Sequence, residues 1–161
     1  MIKRIFILLA VAFICLGCGL GYDSSDGSVS GTAEQKQLLQ QYIKDTQGSL
    51  QTFNNNRRLI AEVNESNAGK AREIINQHRE SLQRVKVPAN CPQAKKLAKL
   101  RERRCELLED MLDYMTGNRI VGFVALLLGE DKDIANELDE ISKEVDAIYE
   151  FAEMEMSWYV K

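Results

Sequence analysis

The sequence predicts an all-α protein: an elongated antiparallel bundle of three helices, or four if the first breaks, preceded by a signal peptide and a flexible tether. Three observations lead there. From Leu39 onward, apolar residues recur at steps of three and four, the repeat of one helix face. Only two prolines occur, and glycines are sparse after Thr32, so a series of short strands and turns finds no support. The 161 residues with 45% hydrophobic content suit one domain with a modest core rather than two. The expected divisions are 1–17, leader; 18–33, attachment point and tether; 34–161, helical domain.

Lys3 and Arg4 open the chain, and Ile5 to Leu16 is an uncharged apolar run. At about 12 residues it has the length of a secretory leader's apolar region, whereas a membrane-spanning helix needs about 20. The run closes on Cys15-Leu16-Gly17-Cys18. A small residue directly before a cysteine at the end of such a leader resembles the bacterial lipobox. The resemblance implies that the leader is removed, that Cys18 becomes the first mature residue, and that it carries diacylglycerol as a thioether. A thiol readily takes an alkyl group, and Gly17 leaves the peptidase room to reach the peptide bond. Two or more acyl chains make an anchor stable where one binds marginally. The expected partner of this end is therefore a membrane, on the extracytoplasmic side of a bacterial envelope. Gly19, rather than aspartate, follows the cysteine, which in a Gram-negative cell implies the outer membrane, facing the periplasm. The glycine, serine and aspartate content beyond it reads as a tether.

The first helical seam runs Leu39, Ile43, Thr46, Leu50, Phe53, Arg57, Ile60, Asn64, Asn67, Ala71, Ile74, His78, Leu82, Val85. Its unbroken phase predicts one long helix of roughly 50 residues, about 75 Å. Asn54 to Asn56 and Asn64 to Gly69 are weak helix formers that mark where it would bend or break. Pro88 and Pro92 then signal a turn, with Asn90 as N-cap. The second helix carries two adjoining seams: Leu97, Leu100, Arg104, Leu107, Met111, Tyr114, and Cys105, Leu108, Leu112, Met115. So wide a face predicts a middle helix with two neighbours. Ile120 to Leu128 is continuously apolar, read as a buried helix end capped by Gly129. Glu130, Asp131 and Asp133 open the last helix with acid at its positive end. Its seam is Ile134, Leu138, Ile141, Val145, Ile148, Ala152 and Tyr159. Folding it back would bring Glu150, Glu153 and Glu155 near the basic start of the second helix.

The formal net charge of -3 argues against a nucleic-acid partner. Cys91 and Cys105 remain after processing, in a compartment where disulfides persist. On an unbroken helix they stand about 21 Å apart, so free or intermolecular thiols are expected over an intrachain bridge, which needs Cα atoms within about 7 Å. His78, the sole histidine, lies on the first seam and reads as a hydrogen-bonded core residue. The alternative is a small-ligand or haem site, with His78 and one of Met111, Met115, Met154 or Met156 as ligands. Glu106, Glu109, Asp110 and Asp113 lack the histidine partners of di-iron bundles and read as a solvated or ion-paired face. Trp158 and Tyr159 are read as packing on the bundle end or meeting a partner. No cofactor, metal or catalytic residue is expected. The expectation is a non-enzymatic domain for a protein partner or self-association, or with a structural or accessory role.

Overall fold

The computed structural model describes residues 29–63, 66–116 and 130–155. Cys18, the leader, the apolar run 120–128, Met156, Trp158 and Tyr159 lie outside the described residues. The class is all-α: the described elements are α1 (Ala33–Asn55), α2 (Arg57–Ala61), α3 (Ala68–Gln83), α4 (Pro92–Thr116) and α5 (Glu130–Phe151). None of the described helices is long and apolar enough to cross a membrane.

α1 starts in a capping box, with Gln35 N–H donating to Thr32 Oγ1 at 3.2 Å and Thr32 N–H to Gln35 Oε1 at 3.0 Å. The end of the expected tether belongs to the fold. Val29 packs on the core, and Gln93 Nε2 donates to the Ser30 carbonyl at 2.6 Å. A Cβ at Gly31 would stand 2.5 Å from Gln93 Nε2 and 2.9 Å from both Gln35 Oε1 and Phe151 Cζ, so those side-chain ends would have to shift.

The single long first helix is not observed. Asn56, in a non-helical conformation, ends α1 and begins the short α2. The chain leaves helix between Ala61 and Ala68, and α3 then packs against α1 rather than extending it. Phase continuity misled because two helices that share one core each present it a stripe of the same period. In α3 the buried stripe is Ala71, Ile75, His78 and Leu82, with Ile75 taking the place expected of Ile74.

The N-cap of α4 is Cys91, not Asn90. Its Sγ accepts from Ala94 N–H at 3.4 Å and its carbonyl from Lys95 N–H at 3.2 Å, while Pro92 occupies the first position, where a missing N–H is harmless. α4 touches α1, α3 and α5, three neighbours rather than two. Along α3 and α4, contacts run from Gln83–Glu102 through Arg79–Glu109 to Arg72–Asp113. Along α4 and α5 they run from Lys96–Glu144 to Arg103–Glu137. Glu153 pairs with Lys36 of α1 and not with the start of α4, a register different from the expected one. α5 stops without glycine. Glu153 takes φ 52°, Glu153 N–H reaches the Glu150 carbonyl and Met154 N–H the Tyr149 carbonyl, a Schellman closure of α5.

Three apolar clusters fill the interior among the described residues. The first gathers Leu39, Tyr42, Ile43, Leu97 and Ile148 near the chain entry, the second gathers Phe53, Ile60, Ile75, Leu108 and Leu112 toward the opposite end, and a smaller third joins Leu107 of α4 to Leu138 and Ile141 of α5.

Candidate functional site

Between the first and second clusters lies a polar layer, and it holds the histidine. Ser49 and Phe53 stand one turn apart on α1, so both face α3. The His78 ring stacks on Phe53 with centroids 4.4 Å apart and planes at 28°, and Ser49 Oγ lies 2.9 Å from His78 Nδ1. Only 8% of His78 is exposed. Burial first, then the charges of Arg104 and Arg101, push its pKa down to about 4, so the imidazole is neutral at neutral pH.

Arg101 of α4 is the unexpected member. It is 5% exposed, with Nη1 donating to Thr46 Oγ1 at 2.8 Å and Nη2 to Tyr149 Oη at 2.9 Å, and the guanidinium lies 5.8 Å from the centre of the Tyr42 ring. Its Nε–H finds no acceptor among the described residues. A buried guanidinium held by neutral groups alone is costly to desolvate. Arg104, which the spacing placed on the seam, is partly exposed and lies 6.0 Å from the centre of the Phe53 ring. The signal for Arg101 was its position between Leu97 and Cys105 at steps of four, overridden by the surrounding run of surface lysines and arginines.

An open groove of about 390 Å³ runs along this layer between α1 and α3, lined among others by Asp45, Ser49, Thr52, Phe53, Gln77 and His78. Its chemistry is that of hydroxyls, amides, an imidazole and the Asp45 carboxylate over an aromatic floor. A hydroxyl beside an imidazole resembles part of a nucleophilic pair, but a base whose pKa is depressed to about 4 takes a proton weakly. Among the described residues no carboxylate bonds the ring; Asp45 accepts instead from Gln41 Nε2 at 2.7 Å.

Cys91 and Cys105 are both buried and unbridged. Cys91 sits in the first cluster as a cap; Cys105 sits in the second, its thiol pushed up to about 11 chiefly by burial. No group of three or more metal-ligating side chains occurs among the described residues. Glu106, Glu109 and Asp113 pair with Arg103, Arg79 and Arg72; Asp110 is exposed. Met154 packs in the first cluster and Met111 against the second. Comparison with protein-family models, with curated proteins and with solved structures returns no match.

Proposed function

We propose that the chain is a lipid-anchored bacterial envelope protein whose antiparallel helical bundle is a non-enzymatic module that binds a protein partner or a second copy, or serves as a structural or accessory subunit. Cys18 carries the anchor. The observation that carries the reading is the sequence boundary at Leu16-Gly17-Cys18, a leader that ends in an alkylatable thiol upstream of a helical domain. The contacts of α3 with α4, and of α4 with α5, support the antiparallel arrangement, since residue numbers fall on one helix as they rise on the other. Engagement of Ser49, His78, Cys91 and Arg101 in packing supports a binding role over catalysis.

Replacing Cys18 by serine is expected to release the protein from the membrane fraction and remove the diacylglyceryl mass. Unchanged fractionation and mass would refute the anchor. Crosslinking in intact cells is expected to give one recurrent product, a partner or a dimer; a strictly monomeric result would refute the binding role.

The groove beside His78 favours a second reading, a small-ligand or haem site. A Soret band on adding haem that disappears in His78→Ala supports it, and an unchanged spectrum with haem and with transition metals removes it.

A further inference from the structure

We infer that the end of the fold where the chain enters rests on an anionic lipid surface through Lys86, Lys95 and Lys99. The inference rests on the anchor reading above. Chain entry is tied to one place. Ser30 is held by Gln93 and Gln35 Nε2 reaches the Asn90 carbonyl at 3.4 Å, so the tether lands beside the turn between α3 and α4. Eleven residue steps separate Cys18 from Val29, with a typical span of about 18 Å. The far end of α4, 25 residues long, lies about 37 Å further on. An anchor at Cys18 therefore keeps this end, and not the other, against the lipid.

The charges at this end complement such a surface. From Arg84 to Lys99 the chain carries Arg84, Lys86, Lys95, Lys96 and Lys99 and no acid. Arg84 is engaged by Glu80 and Lys96 by Glu144. Lys86, Lys95 and Lys99 are exposed, and none forms an ion pair within the described residues. Lys95 and Lys99 share a stripe of α4 with Glu102, which accepts from Gln83 at the end of α3, so the stripe opens beside Lys86. Two lysines in the first turns of α4, with no acid in its first turn, oppose the helix dipole. Of the other acids near this end, Glu34 on α1, Glu150 on α5 and Glu155 beyond it are exposed, and Glu153 is bound to Lys36. The molecule would thus lean on its α3–α4 side. Three lysines near an anionic surface strengthen the contact roughly a hundredfold, an effect that salt screens.

The test uses full-length mature protein in vesicles of phosphatidylcholine alone or mixed with phosphatidylglycerol. Acetylation of each lysine is followed by mass spectrometry. Lys86, Lys95 and Lys99 are expected to react several-fold more slowly on the anionic vesicles, with the contrast lost at high salt. Lys70 and Lys132, at the starts of α3 and α5, are expected to react equally on both. Replacing the three exposed lysines together by glutamate is expected to abolish retention of the tethered face, read as equal accessibility of neighbouring Lys96 on both vesicles, with helix content unchanged. Equal labelling of Lys86, Lys95 and Lys99 with the lipid mass present on Cys18 overturns the surface contact alone. Absence of the lipid mass overturns the anchor beneath it.

Discussion

His78 and Arg101 show how one buried polar side chain sets a measurable property. The His78 pKa lies near 4 in the folded protein against an ordinary 6.5. Between those values the unfolded chain binds the extra proton, so stability is complete above pH 6.5 and falls as the pH drops toward 4. The loss is at most on the order of 3 kcal/mol. Urea unfolding at a series of pH values is expected to show this decline, and His78→Gln is expected to flatten its part of it; an identical decline in the variant would assign the effect to carboxylates. Arg101 makes the opposite prediction to most core residues. Methionine fills similar space without a desolvated charge, so Arg101→Met is expected to raise unfolding free energy by about 1 kcal/mol. A loss of about 2 kcal/mol or more would mean that the bonds to Thr46 and Tyr149 outweigh the desolvation.

At the scale of elements, two glycines separate helix propensity from packing. Gly48 lies within α1 with nothing within 4 Å of a Cβ placed there. Gly48→Ala is therefore expected to stabilise by about 0.5–1 kcal/mol. Gly31 instead lies under Gln93, Gln35 and Phe151. Gly31→Ala is expected to destabilise by about 1 kcal/mol and to raise the proteolytic sensitivity of Val29–Thr32, since Gln93 and Gln35, which bond Ser30 and Thr32, must shift. Thermal melts and limited digestion read both outcomes.

For the whole molecule, the position of the two thiols follows from α4 running through the first and second clusters. Cys91 and Cys105 are held about 21 Å apart by the helix between them, well beyond disulfide reach. Mature protein unfolded without reductant is expected to give two reactive thiols, while the folded protein reacts slowly because both are buried. A missing pair of thiols in a monomeric sample would require the first turns of α4 to unwind, whereas in a covalent dimer it would report intermolecular bridges.

The helical class and the stripes of Leu39–Phe53, Ala71–Leu82 and Leu138–Ile148 were legible in the chain, because the period of a helix is a local property written in neighbouring residues. The place of His78 on a stripe was legible for the same reason. The reversal between Ala61 and Ala68 was not, since a continuous helix and two helices facing a common core carry the same repeat. Everything that depends on that reversal came with the fold: Ser49 and Phe53 meeting His78 across 29 and 25 positions of chain, the groove they line, and the burial of Arg101 between Thr46 and Tyr149. Those pairings are set by which stripes bury most apolar surface together, a choice made between distant segments that no local spacing encodes.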